Sequence, residues 1–163
     1  LIDFAGTYTT PSYFINNDLL YAYGGGDGAT ALQVSSDAMT YSYNNIFENI
    51  RYCLIQTAST FANIHSDYNH YFNWNANWQF IIYNTYYTQA GTWQALGSGH
   101  DNNSNTVSVA ANMVNPGVAP SSSNNFGLKS TSPCINAGTN VGLTETKPDI
   151  GAYPYAGRGI IVF

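Results

Sequence analysis

Charge is what this chain has least of: Asp, Glu, Lys and Arg together make up 8% of its 163 residues, against roughly 25% in an average soluble domain. Four Lys plus Arg stand against nine Asp plus Glu, for a net charge of −5 at pH 7. So few cations exclude nucleic acid as a partner, since neutralising phosphates takes a basic face. They argue against an anionic membrane surface on the same ground, and no apolar run reaches the ~18 residues of a membrane span. Cysteine is scarce as well. Cys53 and Cys134 do not make a disulfide framework. Each lies in apolar company (Tyr52-Cys53-Leu54-Ile55, Pro133-Cys134-Ile135), which reads as two separate buried thiols, with a bridge between them as the alternative. The opening Leu1-Ile2-Asp3-Phe4 has neither an initiator Met nor the basic start of a signal peptide, so the chain reads as a processed piece of a longer protein. A helical stripe is missing too: the best candidate, residues 86–96, is short.

What is present is apolar and aromatic. The chain is 44% hydrophobic and 15% aromatic, enough for one domain with a sizeable core and too much for charge-driven disorder. Its polar surface must be built from Asn, Ser, Thr, Gln and Tyr. Neutral, hydroxyl-rich partners such as a polysaccharide or glycan are compatible with that surface, and the composition resembles secreted or cell-surface proteins. Short apolar runs rich in Ile, Val, Tyr and Phe alternate with Asn, Ser and Gly, which is a strand-and-turn signature.

Three segments can be laid over one another: Phe14-Ile15-Asn16-Asn17-Asp18-Leu19, Ser42-Tyr43-Asn44-Asn45-Ile46-Phe47 and Ile64-His65-Ser66-Asp67-Tyr68-Asn69. This overlay equates Asn17, Asn45 and Asp67, with a glycine loop at 24–28 making the first spacing longer than the second. Apolar strands follow each segment, at 31–34, 53–56 and 80–83. Such a repeat predicts an all-β fold in the form of a parallel solenoid, in which like residues stack in ladders about 4.8 Å apart. Asn at the turns can adopt the left-handed conformation and bond to its neighbour in the next layer. Stacked like charges would repel, so low charge follows from the architecture.

The ending Leu128-Lys129-Ser130-Thr131-Ser132-Pro133-Cys134-Ile135-Asn136-Ala137-Gly138, then Lys147-Pro148-Asp149-Ile150-Gly151-Ala152-Tyr153, resembles the last turn of right-handed parallel β-helix proteins of the pectate-lyase-like superfamily. Their pattern there is Ser-Pro-Ala-Ile-Asp-Ala-Gly, then Asp-Ile-Gly. Ser66-Asp67-Tyr68-Asn69 resembles that family's Ser-Asp-Tyr-Asn turn. Trp93-Gln94, followed by Gly99-His100-Asp101-Asn102-Asn103-Ser104, resembles its Trp-Gln and Gly-x-Asp-x-x-Ser segment, and Met113-Val114-Asn115-Pro116 stands where it often carries Phe-Val-Asn-Pro. Cys134 and Asn136 depart from the usual Ala and Asp. The resemblance implies a right-handed parallel β-helix of few rungs over 1–125, with loop insertions near 24–28 and 70–105, and a C-terminal closing segment over 126–163. It implies no single activity, because the superfamily holds lyases, hydrolases, epimerases, tailspikes and non-catalytic surface proteins.

Candidate chemistry is thin. A lyase on acidic sugars needs a cation at the uronate carboxylate and a base for the α-proton. Arg51 is the one such residue on a middle turn, and pairing with Glu48 is its structural reading. A hydrolase needs two carboxylates about 5–9.5 Å apart. The weak candidates are Asp67, at the aligned ladder position, and Asp18 and Glu48, one and three positions past the ladder Asn of their own turns; turn roles are their structural reading. His65, Asp67 and His70 form the one compact titratable cluster, but 65 and 67 share a strand face while 70 points away, so no metal site is expected. The aromatic-amide run around Asn73-Trp74-Asn75-Ala76-Asn77-Trp78 fits glycan contact, with Trp74, Trp78, Tyr71, His65 and His70 as candidate carbohydrate-binding residues; packing over the side of the fold is its structural reading. The leading expectation is a secreted or surface structural, adhesive module that contacts glycan, needs no cofactor, and stacks its first rung on upstream chain or another subunit. The alternative is a fragment of a polysaccharide lyase or glycoside hydrolase, for which Ca²⁺ would be a cofactor.

Overall fold

The computed structural model describes residues 2–4, 11–20, 30–34, 39–50, 52–56, 64–72, 79–82, 85–87, 94, 100–105, 109–116, 125–142, 147–153 and 155. The fold is all-β. Among the described residues thirteen short strands appear in order: β1 (Ile2–Phe4), β2 (Ser12–Ile15), β3 (Asp18–Leu20), β4 (Thr30–Val34), β5 (Thr40–Tyr43), β6 (Ile46–Glu48), β7 (Tyr52–Gln56), β8 (Ile64–Asp67), β9 (His70–Phe72), β10 (Gln79–Ile82), β11 (Thr85–Tyr87), β12 (Met113–Asn115) and β13 (Asn125–Leu128). Strands three places apart pair in parallel, giving the orders β1-β4-β7-β10, β2-β5-β8 and β3-β6-β9. β11 turns back antiparallel on β10. Thr85–Tyr87 therefore begins as strand the stretch that had the best helical pattern, and among its later residues only Gln94 is described, in a helical conformation. Three strands also occupy the stretch 70–105, which the sequence reading had assigned to a loop insertion, while the 24–28 loop lies outside the described residues.

The short strands are explained by their sequence alternation. In β5 and β8, Thr40, Ser42, Ile64 and Ser66 point inward and are buried, while Tyr41, Tyr43, His65 and Asp67 point outward. Ser42 and Ser66 are small and polar because they share the interior with Asn side chains, while Ile64 joins the apolar core. The Asn17 N–H donates to Asn45 Oδ1 at 3.0 Å, and the Asn45 N–H donates to Asn69 Oδ1 at 2.9 Å. Asn45 Nδ2 reaches Phe14 O and Ser42 Oγ, and Asn69 Nδ2 repeats this on Ser42 O and Ser66 Oγ. The ladder therefore runs Asn17, Asn45, Asn69, with spacings of 28 and 24 residues. Asn69, not Asp67, is its third member, so the overlay read from sequence slips by two residues in its third segment. The residue just before each ladder member takes positive φ: Asn16 (55°), Asn44 (57°) and Tyr68 (54°).

Two apolar clusters lie on either side of β6, whose three residues are all buried. Phe47 faces the first, with Phe14, Ala31, Leu32, Ile50, Cys53, Ile64 and Tyr71. Here the rings of Phe47 and Tyr71 stack at 5.1 Å. Ile46 faces the second, with Ala111, Met113, Leu128, Cys134 and Ile150. The cysteines thus sit in different clusters, both free and buried, and burial raises both thiol pKa values.

The closing segment does not extend any of the parallel sheets. Its strand β13 pairs antiparallel with β12, and the chain beyond crosses the flank of the layers. Asn105 Nδ2 donates to Pro133 O, and Asn44 exchanges two bonds with Thr139, Nδ2 to O and Oδ1 from N–H, both at 2.9 Å. The Gly151 N–H donates to Asn44 O, and the Ala152 N–H to Asp18 Oδ1. Gly138 sits where a Cβ would lie 2.9 Å from both Asn44 Oδ1 and Pro148 O; Gly151, at φ 105°, would press a Cβ into Asp18 and Ile46. The segment read from sequence as a final turn is therefore a strap running back across the layers that contain Asn105, Asn44 and Asp18.

Candidate functional site

The outer face of the β2-β5-β8 sheet carries the most organised exposed chemistry among the described residues. Register places Tyr13 beside Tyr41 and Tyr41 beside His65. Their rings stack at 5.1 Å and 4.9 Å, with interplanar angles of 12° and 13°. Tyr43, two positions along β5, lies 6.4 Å from Tyr41 on the same face. Parallel in-register pairing with 4.7–4.9 Å strand spacing brings like positions to ring-stacking distance. Tyr13, on the edge strand, is 63% exposed. Burial first, then the charge of Asp67, pushes the Tyr43 hydroxyl pKa up, so Tyr43 presents a neutral hydroxyl at neutral pH.

A second row supports the first. Asp67, beside Tyr43 in register, accepts the Asn103 N–H and Nδ2 at 2.7 Å each, and the Tyr68 N–H. Behind it, Asp101 is completely buried and gathers Ser66 Oγ, Asn69 Nδ2, Tyr71 OH and Ser104 Oγ. Ser104 Oγ in turn accepts the Asn69 N–H, which continues the Asn ladder with a hydroxyl oxygen. Gln94 Nε2 donates to Asp101 O. The Gln, Asp and Ser of the segment 93–104 thus pin one loop against the last parallel layer. A buried carboxylate with four side-chain donors is a satisfied anchor rather than a free catalytic group.

The residues singled out from sequence separate on this frame. His65 and Asp67 lie on the outer face of β8, whereas His70 begins β9 in a different sheet, beyond the turn at 68–69, and is buried there. His70 and Tyr71 are buried at 0% and 2% exposure, so neither presents a ring to an external ligand; burial pushes His70 down to about 4. Glu48 is buried, accepts the Ala111 N–H through Oε2, and has its pKa raised by that burial. Asp67 is committed to Asn103. Arg51, Trp74 and Trp78 lie outside the described residues. Tyr13 and Tyr41 were missed, although the spacing that relates Phe14 to Ser42 also relates Tyr13 to Tyr41.

No protein-family profile, no curated protein and no solved structure matches this chain.

Proposed function

We propose that this chain is a stretch of right-handed parallel β-helix from a secreted or surface protein, serving as a structural and adhesive module that contacts glycan through stacked outer-face aromatics. The observation that carries the reading is the in-register row Tyr13, Tyr41 and His65, held at 5.1 Å and 4.9 Å on three consecutive parallel strands. The parallel orders of the three sheets and the Asn17–Asn45–Asn69 ladder support the helical architecture. A sugar offers C–H faces to aromatic rings and hydroxyls to amides and phenols, and this surface supplies both without charge. Among the described residues, β1, β2 and β3 each pair on one side only. Those edges suit a further layer, from upstream chain or another subunit.

The test is a glycan array probed with the wild-type chain and with Tyr13→Ala, Tyr41→Ala, Trp74→Ala and Trp78→Ala. Selective loss in the Tyr13 and Tyr41 variants supports the outer-face row; loss only in the Trp variants moves the contact to the 73–78 run, and no binding to any glycan refutes the module. A parallel assay for unsaturated products on uronate polymers reads the lyase alternative, which requires activity that disappears in Arg51→Ala.

A further inference from the structure

Where the strap meets the first parallel layer, a cavity of about 350 Å³ opens between Asn17, Asp18, Leu19, Phe126, Ala152 and Tyr153. Its apolar walls are Leu19 and the rings of Phe126 and Tyr153, whose centroids lie 5.8 Å apart at a 31° tilt. Tyr153 is 53% exposed, so the cavity has an open aromatic side. The polar lining is one-sided. Asn17 Nδ2 is engaged with Ile15 O and Asn45 Oδ1, which leaves its carbonyl oxygen as an acceptor. The Ala152 N–H already bonds Asp18 Oδ1, while Asp18 Oδ2 is buried with no hydrogen-bond partner. The Tyr153 hydroxyl is the one side-chain donor left in the lining.

We propose that this cavity binds an organic ammonium group, with the Asp18 carboxylate as counter-ion and the Phe126 and Tyr153 rings as its walls. A carboxylate beside aromatic faces, with acceptors in excess of donors, is complementary to a cation carrying N–H or N–CH₃ groups. A neutral polyol would need donors in return. The surrounding field has the same sign: Glu48 on β6 acts on Asp18 as a second negative charge, and among the described residues no cationic group acts on either. Burial, with Glu48, raises the Asp18 pKa from 3.8 to about 6 against the opposing Ala152 bond, the shift of an anion lacking a partner. The site uses none of the outer-face residues, so it stands or falls apart from the glycan reading.

The test is a titration of the ¹⁵N-labelled chain, followed by amide shifts, with methylammonium, tetramethylammonium, Nα-acetyl-lysine amide and the neutral isostere neopentyl alcohol. Saturable shifts at Asp18, Leu19, Ala152 and Tyr153 are expected with the cations at pH 7.5. Affinity should fall about tenfold by pH 5, as Asp18 takes its proton. Asp18→Asn keeps an acceptor for the Ala152 N–H and should bind about tenfold or more weakly, while Tyr153→Ala should weaken tetramethylammonium more than methylammonium. Tighter binding of the lysine amide than of methylammonium assigns the cation to a polypeptide side chain, and the reverse assigns it to a free amine. Equal binding of the neutral isostere, no change in Asp18→Asn, or no saturable shift at those four amides overturns the proposal.

Discussion

At the residue scale, the amides and one carboxylate carry more of the architecture than the aromatic rings do. Asn45 and Asn69 each satisfy a backbone N–H of the preceding layer, of Asn17 and of Asn45, and a backbone carbonyl, of Phe14 and of Ser42. Removing one therefore strands partners on both sides. Asn45→Ala is expected to cost about 2–4 kcal/mol, from roughly 1–3 kcal/mol for each group left unsatisfied, read from urea unfolding against the exposed control Asn102→Ala. Tyr68 is the odd member of the positive-φ set, since a bulky side chain in the left-handed region is strained whereas Asn16 and Asn44 tolerate it. Tyr68→Asn should raise stability by about 1 kcal/mol, and an unchanged or lower urea midpoint refutes the strain. This residue also explains where the sequence misled. Asn-Asn pairs marked the first two segments, so their 28-residue relation was legible. In the third, the ladder Asn69 follows a tyrosine, and Asp67 imitated its polarity two positions early.

At the scale of elements, the loop at 100–105 covers the edges of β8 and β9. Its backbone closes onto the last layer through Asp101 N–H to Ser66 O and Asn105 N–H to Asn69 O. Its carboxylate replaces the next Asn as the hub of the interior bonds. Asp101→Ala leaves the Ser66, Asn69, Tyr71 and Ser104 groups without their shared acceptor, with an expected loss above about 3 kcal/mol. Amide hydrogen exchange should show the loop, β8 and β9 losing protection first, and protection lost evenly across the chain would refute the loop as an anchor. The motif 93–104 was visible in the sequence, but its role was not, because Ser66, Asn69 and Tyr71 come to Asp101 only through the register of strands 30 to 35 residues away. The strap was recognisable as a segment for its Ser-Pro corner and glycines. Its course across the layers depends on Asn44 and Asp18, whose part in holding it no local pattern announces.

At the scale of the whole molecule, two buried titrations oppose each other. Asp18 has a folded pKa of about 6, above its unfolded value of 3.8, so its contribution is full below about pH 4 and is lost as pH rises through 6. His70 has a folded pKa of about 4, below 6.5, so its contribution is full above about pH 6.5 and is lost as pH falls through 4. Each shift amounts to about 1.4 kcal/mol per pK unit. These two contributions should therefore nearly cancel between pH 4 and 6.5. Asp18→Asn removes one of them, and its stability should climb with pH relative to the wild type across that window; a variant curve parallel to the wild-type one refutes the assignment to Asp18.

The strap also sets the order in which the chain can finish folding. The ladder bonds between adjacent layers join residues 24 and 28 apart, whereas the strap's bonds to Asn44 and Asp18 join residues 95 and 134 apart. Loop closure over such separations is slow and comes late. During synthesis the parallel layers can pair as they emerge. The Asp18–Ala152 contact must wait until the ribosome has released residue 152, so the first strands made are among the last to be secured.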